Sequence, residues 1–82
     1  MTDPNPLAQE LAELIGQILQ KQINPSWLDA RLVEDYGADS LDLVDIVESM
    51  ERKYGIVVTN DGVRRLQSLG DVVLTVRDLQ AP

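Results

Sequence analysis

Apolar residues recur at spacings of three and four in three segments of this chain, and this pattern limits its fold more than any other feature. Such spacing places the apolar side chains on one stripe of a helix. The first stripe consists of Leu7, Leu11, Leu14, Ile15, Ile18 and Leu19. It predicts a helix over about residues 7–21, with Pro6 at or just before its first turn. The helix should end before Asn24-Pro25, because a residue that precedes proline is pushed out of helical geometry.

The second predicted helix begins near Asp39-Ser40. Asp39 can accept hydrogen bonds from the free amides of the first turn, and Asp42 repeats the spacing of a capping box. Gly55 can adopt the left-handed conformation that often ends a helix, so we expect the helix to run to Tyr54. The positions expected to point inward are Leu43, Ile46, Val47, Met50 and Tyr54.

Two further elements are predicted after this helix. Asn60-Asp61-Gly62 indicates a turn, and a short helical piece should follow at about residues 63–66. Residues 72–76 favour a strand by propensity, but no second strand is available to pair with them. A helix is therefore predicted, and the capping-box pair Ser68 and Asp71 supports it. The helical spacing here is carried by Leu69, Val72, Val73, Val76 and Leu79.

These elements predict an all-α fold: a small four-helix bundle of three longer helices and a short third helix, with a long loop between the first two. A length of 82 residues suits one domain. We expect residues 1–6 to form a disordered or extended tail, residues 7–79 a single domain, and residues 80–82 a C-terminal tail. The loop over residues 24–39 carries large apolar residues that we expect to pack on the core, namely Trp27, Leu28, Leu32 and Val33.

The composition argues against several classes of protein. The chain has no cysteine and no histidine, so it lacks a thiolate, a disulfide, and the commonest general base and transition-metal ligand. We therefore do not expect an enzyme or a metal site. A net charge of −7 and few aromatic residues argue against nucleic acid as a partner. No stretch is apolar enough to cross a membrane, and the polar start shows no targeting pattern, so we expect a soluble cytoplasmic monomer.

The net charge is concentrated in one part of the chain. Between Glu34 and Glu51 there are seven acids and no base, whereas the seven acids elsewhere are balanced by all seven bases. One interpretation is a solvated helix face. The functional interpretation is a docking surface for basic partners.

The string Gly-Ala-Asp-Ser-Leu at residues 37–41 stands at the head of the acidic helix. Together with the run over residues 34–42, where Tyr36 replaces the usual leucine, and with residues 68–73, it resembles the acyl carrier protein family over nearly the whole chain. The resemblance implies a carrier with 4′-phosphopantetheine attached to Ser40 through a phosphodiester. The terminal thiol of this arm would hold the cargo as a thioester. The cofactor-binding residues that it implies are Ser40, Asp39 and Leu41.

The physical chemistry of Ser40 agrees with this resemblance. A hydroxyl at a helix start is exposed, and the free amides and positive dipole end there suit a phosphodiester anion. The alternative is a helix cap with no chemistry. A hydrolase interpretation fails because no histidine is present to act as the base. A calcium loop is excluded because Leu41 and Leu43 occupy ligand positions three and five, counted from Asp39.

The resemblance also implies partners: a phosphopantetheinyl transferase, and acyl-loading, chain-building or tailoring enzymes with basic docking patches. Each charge pair with such a patch should be weak and salt-sensitive. An interaction module that has no arm and acts through the acidic face alone is an alternative. The predicted partner-binding residues lie on the outer face of the second helix, at Leu41, Asp42, Val44, Asp45, Glu48 and Glu51.

Several positions depart from the usual pattern of the family. Glu48 stands where fatty-acid members usually have an apolar residue, and Arg52-Lys53 interrupts the acids of the second helix. Arg64-Arg65 lies where the short third helix is commonly acidic. These departures favour a discrete carrier of a specialised pathway, such as polyketide or hybrid natural-product biosynthesis. The alternatives are a carrier of fatty-acid synthesis and a carrier of aminoacyl groups.

Overall fold

The computed structural model describes residues 5–80, which form four helices joined by non-helical connections. Within these residues no strand forms, and one isolated bridge joins Arg31 and Ser68. The predicted all-α fold, with its short third helix and long first loop, is confirmed. The helices are α1 (Pro6–Leu19), α2 (Ser40–Tyr54), α3 (Asn60–Arg64) and α4 (Leu69–Gln80).

Helix α1 ends at Leu19, the last residue of its apolar stripe and two residues before the predicted end at about residue 21. Gln20 adopts a left-handed conformation with φ of 56°, which stops the helix after Leu19. The chain then folds back, and the Lys21 amide donates to the Gly16 carbonyl at 3.1 Å. A side chain at Gly16 would lie 2.7 Å from the Lys21 oxygen, so only glycine permits this close return.

The predicted tails overlap the ends of the helical part. Asn5 caps α1 by accepting a hydrogen bond from the Leu7 amide at 2.9 Å, and Pro6 is the first helical residue. Gln80 is the last residue of α4. Residues 1–4 and 81–82, which were expected to form the rest of the two tails, lie outside the described residues.

Helix α3 is displaced from its predicted position at residues 63–66. Asn60-Asp61-Gly62 was expected to be a turn, but it forms the first turn of the helix. The cause is Thr59, whose hydroxyl accepts a hydrogen bond from the Gly62 amide at 3.1 Å. The helix therefore begins at Asn60 and ends at Arg64.

The core forms where α1 packs against α4 and α2, and where α2 meets α4. Of the positions predicted to point inward from α2, Ile46, Val47 and Met50 are buried, while Leu43 and Tyr54 are half-buried at the edge of the core. Burial of these apolar side chains is the main favourable term in the folding of so small a domain. The largest fully buried side chains are Leu11, Ile15, Leu32, Ile46, Met50, Leu69, Val72 and Val76.

The first loop is held to the core differently from our expectation. Of its predicted anchors only Leu32 is buried, whereas Trp27, Leu28 and Val33 are 47%, 43% and 53% exposed. The reason is an extended segment hydrogen-bonded to the start of α4, in which alternate side chains point inward. The Leu32 amide donates to the Gln67 carbonyl at 2.9 Å, and the Ala30 carbonyl accepts from the Leu69 amide at 3.0 Å. The buried residues of the connection are Ile23, Ala30, Leu32, Tyr36 and Ala38.

Truncation of Met50 should test how strongly α2 depends on its buried face. Met50 is fully buried, so Met50→Ala should lower the free energy of unfolding by about 2–5 kcal/mol. Val44 lies on the same helix but is 48% exposed, so Val44→Ala should cost less than about 1 kcal/mol. Urea denaturation followed by circular dichroism measures both, and equal losses would contradict this description of the core.

The pKa of Tyr54 should give the fold a dependence on alkaline pH. Burial raises this pKa from 10.0 to about 12, helped by the charge of Glu10, whose carboxylate also accepts a hydrogen bond from the Tyr54 hydroxyl at 3.2 Å. The folded state therefore favours the protonated phenol, and this stabilisation is complete below about pH 10 and is lost as the pH rises through about 12. Carbon-13 NMR of the Tyr54 ring should show the raised pKa, and Glu10→Gln should move it toward 10. An unshifted native pKa would contradict the arrangement.

Candidate functional site

A reciprocal capping box starts α2. The Asp39 carboxylate accepts a hydrogen bond from the Asp42 amide at 2.8 Å, and the Asp42 carboxylate accepts from the Asp39 amide at 3.1 Å. Asp39 is extended, with φ of −103° and ψ of −176°, so the helix begins sharply at the next residue, Ser40. Both carboxylates are thus engaged with the backbone.

The segment before the cap is fixed to the rest of the protein. Gly37 turns the chain with φ of 73°, a conformation that other residues rarely adopt, and its amide donates to the Val33 carbonyl at 3.0 Å. Ala38 is buried, and the buried Tyr36 carbonyl accepts a hydrogen bond from the Lys21 ammonium at 2.6 Å. The segment that leads into α2 is therefore held in place by burial and hydrogen bonds.

Ser40 is the first residue of α2, and it is exposed. Within residues 5–80, the amides of Ser40 and Leu41 donate no hydrogen bond, because amides in the first turn of a helix have no carbonyl one turn earlier in the helix. The neighbouring amides are occupied: the capping box serves those of Asp39 and Asp42, and the Leu43 amide donates to the Asp39 carbonyl at 3.0 Å. Free amides at the positive end of a helix dipole attract an anion. The site therefore fits a serine-linked phosphodiester: the hydroxyl is reachable and two donors stand beside it.

The outer face of α2 gathers most of the predicted partner-binding residues. Leu41 is 75% exposed, and Val44, Asp45 and Glu48 are also exposed. Asp42 is half-buried, and one of its oxygens is used in the capping box. We name the exposed set of Leu41, Val44, Asp45 and Glu48 the acidic face.

Glu51 stands apart from the acidic face, although the helical pattern placed it there. Its side chain is half-buried, and its carboxylate accepts a hydrogen bond from the Val58 amide at 2.9 Å. This contact ties the last turn of α2 to the connection that leads into α3. Glu51 is therefore less available for contact with another protein than Asp45 or Glu48.

Two residues outside the predicted cofactor-binding and partner-binding sets support the site. Tyr36 is buried, its ring packs edge-on against Trp27 with centroids 6.0 Å apart, and its hydroxyl accepts from the Asn24 amide at 3.3 Å. Lys21 contacts the Tyr36 carbonyl across fifteen residues of chain. Nothing in the local sequence around Lys21 signals this contact, whereas the replacement of leucine by Tyr36 was a visible departure.

Residues 5–80 hold no group of three or more carboxylate, histidine or cysteine side chains that could bind a metal ion. No helix in this part of the chain is long and apolar enough to cross a membrane.

Comparison with known proteins shows to which family the chain is similar. A family profile described as "Phosphopantetheine attachment site" matches residues 9–76, which is most of the chain. The chain belongs to the acyl carrier protein family. The prosthetic group of this family is 4′-phosphopantetheine, and the family members are carriers rather than catalysts. The start of α2 offers this group a reachable hydroxyl and two free amides.

Curated relatives support the same assignment over nearly the full length. The acyl carrier protein of Campylobacter hominis is 32% identical over 71 residues, which cover 87% of this chain and 90% of the relative. The acyl carrier proteins of Rickettsia canadensis and Rickettsia typhi are each 28% identical over 81 residues, which cover 99% of this chain and 94% of the relative. The similarity therefore extends well beyond the serine string.

Removal of the cap should loosen the start of α2. Asp39→Ala leaves the Asp42 amide without its acceptor and should lower the free energy of unfolding by about 1 kcal/mol. Asp39→Asn keeps an acceptor oxygen and should lose less. Urea denaturation gives the stability, and hydrogen exchange of the first-turn amides shows where the helix opens. Unchanged exchange in Asp39→Ala would contradict the role given to this box.

Proposed function

We propose that this chain carries acyl intermediates as thioesters on a 4′-phosphopantetheine arm attached to Ser40, and that it delivers them to partner enzymes. The observation that carries the proposal is the position of Ser40, an exposed hydroxyl on the first residue of a capped helix with two free amides beside it. The bound arm supplies the thiol that a chain without cysteine lacks.

The chain itself provides a nucleophile but no base to activate it. No histidine is present, and the carboxylates of Asp39 and Asp42 each accept a backbone hydrogen bond. The base that removes the Ser40 proton during attachment must therefore come from the transferase. With the arm attached, the amides of Ser40 and Leu41 could donate hydrogen bonds to its phosphate oxygens.

The acidic face supports the delivery step. Asp45 and Glu48 are exposed beside Leu41 and Val44, which gives a partner both charge and apolar contact. Exposed ion pairs contribute about 0.2–1 kcal/mol each and weaken in salt. Such contacts bring a basic partner in quickly and let it leave quickly, as a shuttle between enzymes requires. Acyl-loading, chain-building and tailoring enzymes are the partners that we propose, after the phosphopantetheinyl transferase.

We further propose a specialised pathway, such as polyketide or hybrid natural-product biosynthesis, for the carrier. The exposed bases Arg52, Lys53, Arg64 and Arg65 support this, because they change the charge pattern that a partner meets. Fatty-acid synthesis and aminoacyl transfer are the competing pathways. A monomer that acts in the cytoplasm completes the proposal, since a net charge of −7 disfavours self-association. Mass spectrometry of the protein from its native host, with the arm and its cargo ejected together, distinguishes these pathways.

Loss of Ser40 should abolish attachment of the arm. Coexpression with a broad-specificity phosphopantetheinyl transferase should add the mass of one arm to the wild-type chain and none to Ser40→Ala. The matched control is Ser26→Ala, which removes another exposed serine and should gain the arm fully. Intact-mass spectrometry measures all three. A wild-type chain that gains no mass with several transferases would overturn the proposal.

The alternative is a module that uses the acidic face without an arm. In that case, binding to a partner enzyme would be unchanged in Ser40→Ala and lost when acids of α2 are reversed. Reversal of Asp42 together with Asp45 would also break the capping box, because the Asp42 carboxylate accepts a hydrogen bond from the Asp39 amide. Asp45→Lys with Glu48→Lys is the cleaner pair, since both side chains are exposed.

A further inference from the structure

An open cavity of about 550 Å³ lies between the first loop, the start of α2 and α3. Its apolar wall includes Val33 and Leu43, and three charged residues, Arg31, Glu34 and Arg64, stand on its border. Arg64 belongs to α3 and Leu43 to α2, so both helices border the cavity. A positive charge thus borders the cavity in a protein whose net charge is −7.

Ser40 lies between this cavity and the acidic face. Successive residues of a helix are rotated by about 100° about its axis. Seen along the axis of α2, Leu43 is therefore rotated from Ser40 by about 60° in one direction, and Val44 by about 40° in the other. Leu43 lines the cavity, whereas Val44 is part of the acidic face. The acidic face, with its carboxylates, therefore lies on one side of the serine. The cavity bordered by Arg64 of α3 lies on the other side.

The two arginines of the cavity differ in how well their charges are compensated. Arg31 is 3.1 Å from the Glu34 carboxylate and donates a hydrogen bond to Gln67 at 2.8 Å. Among residues 5–80, Arg64 pairs only with Asp61, at 3.9 Å, and both of these side chains are more than 80% exposed. Such a pair has little strength in water. Arg65 follows, exposed and without an ion pair among residues 5–80. We name Arg64 and Arg65 the basic edge.

An enzyme that reaches Ser40 should cover both surfaces. A weak, transient interface buries up to about 600 Å² on each partner, which is a disc about 28 Å across. The whole carrier measures 33 × 30 × 18 Å. A partner of that footprint centred on Ser40 therefore meets the acidic face and Arg64 together. A patch of uniformly basic charge would be attracted on one side of the serine and repelled on the other.

We propose that Arg64 in the basic edge docks a carboxylate of the enzymes that reach Ser40, so that these partners present basic groups to α2 and an acidic group to α3. The inference rests on the proposed function, because it concerns the enzymes that act on Ser40. Two contacts of opposite sign fix the orientation of the partner more firmly than one acidic patch does. They also reject enzymes whose patch is wholly basic, since like charges would then face each other.

The test measures binding of the carrier to the phosphopantetheinyl transferase encoded in the same genome, in a Ser40→Ala background so that no arm is attached. Arg64→Glu should raise the Kd about three- to tenfold at low salt, and the increase should shrink in about 0.5 M salt. Arg64→Gln should raise it less. Arg77→Glu is the matched control, because it makes the same charge change on an exposed arginine of α4 outside the cavity, and it should change the Kd less than twofold.

Each outcome separates this inference from the proposed function. A Kd that is unchanged or lowered in Arg64→Glu, or altered equally in Arg77→Glu, would overturn the docking role of Arg64. Thermal unfolding of the variants should match that of the parent chain, because Arg64 is largely exposed. The Arg64→Gln variant avoids placing a carboxylate beside Asp61 and so keeps the test valid if Arg64→Glu unfolds α3. A wild-type chain that binds in this pattern but gains no arm would instead overturn the carrier function.

Discussion

The reciprocal hydrogen bonds between Asp39 and Asp42 determine where α2 begins, and the rest of the site follows from that position. Because the box uses the Asp39 and Asp42 amides, the amides of Ser40 and Leu41 are left free beside an exposed hydroxyl. A helix that began one residue later would make Ser40 the cap and turn its oxygen toward the backbone. The same two acids thus stabilise the helix and keep the serine available for chemistry.

This arrangement depends on the connection that precedes it. Ala38 is buried, Gly37 turns the chain at positive φ, and the Tyr36 carbonyl accepts a hydrogen bond from Lys21, two residues after α1 ends. Farther back, the Leu32 amide donates to the Gln67 carbonyl just before α4. Twenty residues without a helix, 20–39, would otherwise be expected to move freely. Here hydrogen bonds near the end of α1 and the start of α4 support the segment that presents the serine.

The accuracy of the sequence-based expectations depended on the range of the interactions involved. The bounds of α2 were predicted because its cap at Asp39 and its terminator at Gly55 are local signals. The start of α3 was misplaced because Thr59 was not recognised as a cap, although that signal is local too. The burial of Leu32 but not Val33, and the contact of Lys21 with Tyr36, depend on partners far along the chain, so spacing alone could not reveal them. Glu51 shows the same limit: its helical position predicted exposure, but the Val58 amide engages its carboxylate.

The distribution of charge links the fold to selectivity. Carboxylates on α2 attract basic proteins over about 8–10 Å in physiological salt, and this attraction alone would not distinguish one basic enzyme from another. A nearby positive charge can make the distinction, because it repels a partner that presents a basic group to it and attracts a partner that presents an acidic group. Arg64 is placed for this, because it borders the same cavity as Leu43 of α2 and, within residues 5–80, pairs only with the exposed Asp61 carboxylate at 3.9 Å. A carrier that must bind weakly can in this way remain selective, since selectivity depends on the difference between two affinities and not on the size of either.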